Sequence, residues 1–377
     1  MSHSIVGDSS TSALTLQPRG DCEVWYNVHT SSQRDSSLSS GTGQDKGLSV
    51  VSSADGQRSD SALAIAVEIG GRGHRVVLAN AEGRIIDSAH AIGHGPNAAV
   101  TVDTICGLIE SIMSRRHVDD AIVQGIGVAF GGPVDANRGI TQRSHRVPGF
   151  EHFPLAGVIE DRFGIRTVLE NDARAAALGE FTLGAGRGSR DMVYLHLGFG
   201  VGGALVLEGR LQHGASMTAG EIGHMVVSAN GHDGPRCSCG KPGHLEAFAS
   251  EPSIIERMRL RLIPADPDVK ARWLASPGIT VRRIFDSVEA DDHAEAIVNE
   301  TVQVIGLALA NLVTALNPDA VVIGGYVAET GPAMTAAIRA KIRQYAFDAA
   351  ARRVTVAAAQ LGADAGLVGA VVLALRP

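Results

Sequence analysis

The sequence predicts an α/β protein built from two similar lobes that face a cleft. Three observations carry this expectation. LAIAVEI (63–69), stopped by Gly70-Gly71, is followed by HRVVLAN (74–80), a Glu82-Gly83 turn and RIIDSAH (84–90). The same succession returns as DMVYLHL (191–197), a Gly-rich turn, VGGALVL (201–207), a Glu-Gly turn and RLQHG (210–214). The turns are alike in wording, AEGRII (81–86) against LEGRLQ (207–212). Short Glu-Gly-Arg turns recur by chance, but here the preceding glycine turn recurs with them, which argues for duplication.

The remaining elements follow from periodicity. Pro96-Asn97 opens a helix to about Arg116, with apolar residues at Val102, Ile105, Leu108, Ile109 and Ile112. AIVQGIGVAF (121–130) reads as a strand stopped by Gly131-Gly132-Pro133. FPLAGVIEDRFG (153–164) reads as a helix, IRTVLE (165–170) as a strand, and Asn171 to about Phe181 as a helix. Helical periods then dominate near 251–262, 279–288, 292–315 and 330–347, with strands at DAVVIGG (319–325) and RVTVAA (353–358). An Ala/Gly-rich helix, Gly362–Leu375, ends the chain. The domains expected are a small lobe over 62–172, joined by the C-terminal helix 361–377, and a large lobe over 173–360.

Residues 1–61 hold no sustained apolar period, and the first sixty include 15 Ser, so a disordered tail is expected. Seven acidic and four basic side chains in that tail exclude a basic DNA arm, and it lacks the two periodic helices of a helix-turn-helix reader. The whole chain carries a net charge of −7, which gives no reason to expect nucleic acid or anionic membrane as partner. No run of 18 apolar residues is seen and no signal peptide, so a cytoplasmic protein is expected. The four cysteines, two of them a C-x-C pair, are poor material for a disulfide framework and better material for a metal in a reducing compartment.

The most informative stretch is Gly220–Glu246, GEIGHMVVSANGHDGPRCSCGKPGHLE. His224, Cys237, Cys239 and His244 form a candidate metal set of the N/S type that zinc takes, within a loop spanning 224–246. The plainer reading is a polar loop with two free thiols. Glu221, His224 and Glu246 are suited to grasping hydroxyls, because carboxylates accept from vicinal hydroxyls and imidazole can donate or accept. A lone Glu is usually a solvated surface residue, but Gly220 and Gly223 enforce a backbone path here.

With Glu-Asn-Asp-Ala (170–173), GEIGH (220–224), C-x-C-G-x-x-G (237–243) and VVIGG (321–325) in this order, the chain resembles the ROK family of sugar kinases and related repressors over about residues 62–377. The resemblance implies an α/β, actin-like (ribonuclease H-like) two-lobed ATPase fold with duplicated β-β-β-α-β units and a central cleft. It implies phosphorylation of a hexose or N-acetylhexosamine with ATP and Mg²⁺, and a homodimer. It makes Asp172 the base that takes the proton of the attacking hydroxyl, where capping alone would also explain an Asp at a helix start. Asn171 would hold a neighbouring hydroxyl, and Glu221, His224 and Glu246 would complete the sugar shell. His224, Cys237 and Cys239 match the family's Zn²⁺ ligands; a third Cys is usual where this chain has His244, with His232 as a substitute.

The nucleotide side departs from the family pattern. The usual D-x-G-G-T-K turn reads Glu68-Ile69-Gly70-Gly71-Arg72-Gly73, leaving Arg72 either a phosphate contact or a turn residue. The usual G-T-G-x-G-G-G reads Gly198-Phe199-Gly200-Val201-Gly202-Gly203-Ala204, losing the Thr hydroxyl. Gly324-Gly325 is kept, but Tyr326 follows where a small residue is usual, and Arg146 stands where the family has Asn. Two functions are therefore carried forward: an ATP-dependent sugar kinase, and a non-catalytic sugar-binding regulator with decayed ATP motifs.

Overall fold

We describe the protein from a computed structural model that covers residues 62–70, 73–118, 122–144, 146–228 and 235–376. The expected tail, Gly71, Arg72 and His232 lie outside these described residues.

The first sheet contains β1 (Leu63–Gly70), β2 (Gly73–Asn80), β3 (Ile85–Ile92), β4 (Val123–Phe130) and, beyond a small hairpin of β5 (Val134–Asp135) and β6 (Ile140–Thr141), β7 (Thr167–Asn171). Its order is β3-β2-β1-β4-β7. The first three strands pair antiparallel, while β4 and β7 run parallel to β1. The second sheet contains β8 (Met192–Leu197), β9 (Val201–Leu207), β10 (Arg210–Leu211), β11 (Ala320–Gly324) and β12 (Thr355–Ala358). Its order, β10-β9-β8-β11-β12, repeats the first with the same pattern of antiparallel and parallel pairs. The recurrence read in the sequence is thus a repeated topology.

The helices are α1 (Ala98–Arg116), α2 (Leu155–Phe163), α3 (Asp172–Leu183), α4 (Glu246–Ala249), α5 (Glu251–Leu262), α6 (Pro267–Leu274), α7 (Val281–Asp286), α8 (Asp292–Leu316), α9 (Pro332–Tyr345), α10 (Asp348–Arg353) and α11 (Ala365–Leu375). Capping sets their starts. Asn97 accepts from the Val100 amide to begin α1, and Asp291 accepts from the His293 and Ala294 amides to begin α8. Helix α6 was not anticipated, because it buries only Trp273 and so shows no apolar stripe in the sequence. Helix α8 is long and apolar enough to cross a membrane, but Ile297, Val302, Ile305 and Leu309 lie inside the second lobe's core, which accounts for its composition.

Two helices lie between the sheets. Helix α11 covers β1 and β4 of the first sheet through Ala64, Ala66, Ala129, Ala370 and Ala374. Helix α3 packs on the second sheet through Ala176, Ala177, Tyr194, Ala204 and Val322, and the two helices cross against each other. The small residues are required by closeness. A Cβ added at Gly127 would stand 1.9 Å from the Ala370 carbonyl oxygen, and one at Gly369 would stand 1.7 Å from that of Ala175. Both obstacles are backbone and cannot swing aside. Gly369→Ala is expected to cost about 3 kcal/mol, read as a lower denaturant midpoint at unchanged slope. A midpoint equal to the parent's would show that the crossing has slack.

Candidate functional site

The site forms where parallel strands end. In the first sheet Ile69 stands opposite Phe130, and Phe130 opposite Asn171, so β1, β4 and β7 deliver Glu68, Gly131 and Asp172 to one edge. Ligands of open α/β sheets collect beyond the carboxyl ends of strands. In the second sheet His196 is opposite Gly324, which brings the Gly198–Gly203 turn beside Gly324-Gly325. Gly325 has φ +87°, and a Cβ there would stand 2.3 Å from the Leu197 carbonyl, so the position admits only glycine.

Asp172 is the first residue of α3, and Asn171 is its N-cap. The Asn171 side chain accepts from the Arg174 amide at 3.1 Å and donates to the Gly132 carbonyl and to Asp172 Oδ1, at 3.1 and 3.0 Å. Asp172 Oδ1 also accepts from the Ala173 amide at 2.8 Å. One carboxylate oxygen is thereby fixed, and Oδ2 points toward Gly131, where a Cβ would lie 3.4 Å from it and 3.2 Å from Arg146 Nη1. The cap falls to Asn171, and Asp172 keeps one carboxylate oxygen outside these hydrogen bonds.

Beneath this pair lies a network that the sequence did not announce. Glu170 Oε1 accepts from Arg174 Nε at 2.7 Å and Glu170 Oε2 meets His213 Nε2 at 2.6 Å, while Arg174 Nη1 donates to the Met217 carbonyl at 2.7 Å. Glu170 and Arg174 are buried. Burial pushes the Glu170 carboxyl up, but His213, Arg174 and the Asn171 amide outweigh it and hold the pKa below the usual range. The network ties the strand that ends in Asn171 to the loop preceding Glu221. Glu170 lies in β7, before the cap of α3, so no helical spacing announced its pairing with Arg174, and His213 is distant in sequence.

Glu68 sits at the end of β1 with Arg75 Nη1 3.6 Å away, and Arg75 also pairs with Asp364. Burial is the largest influence on Glu68; Arg75 opposes it, Asp172 and Asp364 add to it, and the pKa rises to about 7. The sign follows from the raised value. Between about 4.5 and 7 the folded state holds a proton that the unfolded state has lost, so stability falls as pH rises through that window. Glu68→Gln is expected to match the parent near pH 4.5 and to be more stable at pH 8 by on the order of 2 kcal/mol. Parallel pH profiles of thermal midpoint for the two proteins would refute the assignment.

The second lobe's loop brings four ligand atoms together. His224 Nδ1 lies 3.3 Å from Cys237 Sγ and 3.4 Å from His244 Nδ1, and Cys239 Sγ lies 3.4 Å from His244 Nδ1. All four ligand atoms fall within 4.8 Å of one another. A tetrahedron with zinc–sulfur and zinc–nitrogen bonds of ordinary length has edges of roughly 3.3–3.8 Å, so the set is compatible with zinc. Burial, then His224 and Lys241, hold the His244 pKa below its ordinary value, which favours the neutral, ligating form. His224 Nε2 is left facing Glu221 Oε2 at 3.9 Å.

Glu246 joins this loop to the glycine turn. Its Oε1 accepts from Cys237 Sγ, the Ser238 amide and Ser238 Oγ at 3.1, 3.2 and 2.5 Å, and its Oε2 accepts from the Val201 amide at 3.1 Å. Burial raises its pKa, yet these donors prevail and hold it below the usual range. Glu221 belongs to the short turn through Ile222–His224, which packs so closely on β9 that a Cβ at Gly223 would meet the Val201 carbonyl at 2.0 Å. Gly202 in turn abuts Ala173, the residue after Asp172, where a Cβ would stand 2.8 Å from the Ala173 Cβ.

At the tip of the same turn Phe199 is 64% exposed, and the Arg146 guanidinium of the first lobe lies over its ring at 5.6 Å. Tyr326 donates a hydrogen bond to Glu251 and lines a cavity of about 280 Å³ with Glu251, Thr280, Arg282, Glu329 and Thr330. A smaller recess beside Asp172 is lined by Gly70, His94, Gly131, Ser144, Arg146 and Phe150, among others.

Two sheets of identical order, joined by crossing helices and presenting glycine turns beside a carboxylate, define an actin-like (ribonuclease H-like) ATPase fold. The chain belongs to the ROK family, whose model matches residues 64–376. It is 31% identical over 308 residues to a glucokinase of Halalkalibacterium halodurans, covering 81% of this chain and 92% of that one. It is 25% identical to a xylose repressor of Caldicellulosiruptor bescii, covering 82% of this chain and 77% of the repressor. The crystal structure of a ROK family glucokinase from Streptomyces griseus with glucose and AMPPNP is 32% identical, with a TM-score of 0.69, over 82% of this chain and 98% of that one.

Proposed function

We propose that the protein is an ATP-dependent sugar kinase acting on a hexose or N-acetylhexosamine in the cytoplasm. The observation that carries this is Asp172: it is anchored through Oδ1, its Oδ2 lies toward Gly131, and Ala173 beside it abuts Gly202 of the glycine turn. Glucokinases with 31–32% identity support the same reading. The sugar lies between Asn171, Asp172 and the Glu221, His224 and Glu246 side. Asp172 takes the proton of the acceptor hydroxyl as its oxygen bonds to the γ-phosphorus; the bond to the β–γ bridging oxygen breaks and ADP leaves. Gly70, Gly198, Gly200, Gly202, Gly324 and Gly325 give the backbone approach that the triphosphate needs, and Gly71 is assigned to the same set from the sequence alone. Glu68, with Asp172 and Asp364 beside it, provides hard oxygen donors suited to Mg²⁺, which when bound neutralises phosphate charge. Zn²⁺ on His224, Cys237, Cys239 and His244 would be structural, with no open position. A homodimer is the assembly we assign, to be read by light scattering.

A specific feature favours the alternative of a sugar-binding regulator that does not turn over ATP. Phe199 places a bulky ring on the phosphate turn, and Tyr326 stands at the nucleoside end. ADP release measured with glucose, mannose, N-acetylglucosamine and N-acetylmannosamine decides between them. Sugar binding in calorimetry, with no ADP release and no nucleotide binding, would establish the regulator instead.

A further inference from the structure

His196 lies in β8 on the same face as Tyr194, two residues before the glycine turn, and that face looks toward α3. A Cβ built on Gly198 would stand 3.0 Å from His196 Nε2, so the imidazole tip forms the floor beneath the start of the turn. The Tyr194 hydroxyl lies 3.3 Å from His196 Nδ1. Tyr194 is 1% exposed, and among the described residues its hydroxyl has no other hydrogen-bond partner than this nitrogen. A buried hydroxyl proton needs an acceptor, so Tyr194 donates to Nδ1, and the neutral ring then carries its own proton on Nε2. Burial, against Asp172 and Glu329, keeps the imidazole pKa below its ordinary value and hence the ring neutral. Nε2 itself has no hydrogen-bond partner among the described residues.

The turn above is short of donors. Its own side chains are Phe199, Val201 and glycines, none of which donates. The Gly198 amide is committed to the Gly200 carbonyl at 3.0 Å and the Val201 amide to Glu246 at 3.1 Å. Gly202 and Gly203 are in the ladder with β8, opposite His196 and Leu195. A phosphate chain lying between this turn and Gly324 therefore meets few free backbone N–H groups, and one fixed imidazole donor pointing out of the floor.

We infer that His196 is a phosphate ligand for the donor nucleotide, giving its Nε2 proton to a phosphate oxygen, with Tyr194 as the positioning residue that holds the tautomer. This rests on the kinase reading above, and the test separates the two. Binding of a non-hydrolysable ATP analogue with Mg²⁺, and of glucose, is measured by calorimetry on the full chain carrying His196→Leu, His196→Gln or Tyr194→Phe. A donor to a charged oxygen corresponds to roughly a ten- to hundredfold change in affinity. His196→Leu should weaken the analogue by about tenfold or more with glucose affinity unchanged. His196→Gln, whose amide nitrogen reaches the same place, should stay within about threefold of the parent, and Tyr194→Phe should fall between. In the parent, the ¹⁵N shifts of the ring should show the proton on Nε2. An equal analogue affinity for parent and His196→Leu, both folded by circular dichroism, overturns the inference while leaving the kinase reading intact. A parent that binds glucose but not the analogue overturns both.

Discussion

Asp172→Asn should lower kcat about a thousandfold while leaving sugar affinity within a few fold, since a positioned general base contributes on the order of 10²–10⁴ in rate. The substitution is chosen for what it preserves. Asn keeps an oxygen to accept from the Ala173 amide and from Asn171 Nδ2, so the first turn of α3 and the cap beneath it stay as they are. What changes is the atom turned toward Gly131, which becomes an amide nitrogen that cannot take a proton. Steady-state kinetics and calorimetry on the same preparation give the two numbers. More than a tenth of parental kcat would show that Asp172 only supports the first turn of α3 and does no chemistry.

The second large effect is expected on breaking the Cys/His cluster. Cys237→Ser, or removal of metal by a chelator, should lower kcat/KM by about a hundredfold, chiefly through KM, and should lower the thermal midpoint. Without an ion, burial, together with Glu246, pushes the Cys237 thiol up to about 12. Zinc needs the thiolate, so loading at neutral pH must release protons and weaken as pH falls. Glu246 transmits the damage: it binds Cys237 and Ser238 on one side and Val201 on the other, so a loosened loop frees both His224 and the edge of the glycine turn. One zinc per chain by metal analysis, lost together with sugar affinity in Cys237→Ser, is the expected result. A metal-free protein with the parent's KM would contradict it.

Much of this was legible along the chain, for reasons that lie in particular residues. Strands such as 63–69 and 201–207 are short, apolar and punctuated by glycine, so both triplets were visible, and their shared order made the duplication visible too. The C-x-C pair with flanking histidines stood out as a candidate metal set because metal ligands are few and chemically distinctive, and the structure brings the four residues together. What stayed hidden is what depends on contacts distant in sequence. The Glu170–Arg174–His213 network crosses 43 positions, and the bond from Val201 to Glu246 crosses 45. His196 looked like any polar residue in a buried strand until Tyr194 and Gly198 were seen around it. Glu246 reads along the chain as a sugar contact, whereas what the structure shows is its two oxygens stitching the loop to the turn.

The stacking of Arg146 on Phe199 links opposite sides of the cleft, and it exists only while the sides are near. Were the two sides to part, such a contact would add its free energy to the closed side alone. A guanidinium over an exposed ring contributes about 0.5–1 kcal/mol, roughly a two- to fivefold tilt in population before any ligand arrives. The Phe199 ring at the tip of the glycine turn would then act as a weak latch. Phe199→Thr would restore a hydroxyl to the Gly198–Ala204 turn at the expense of that contact.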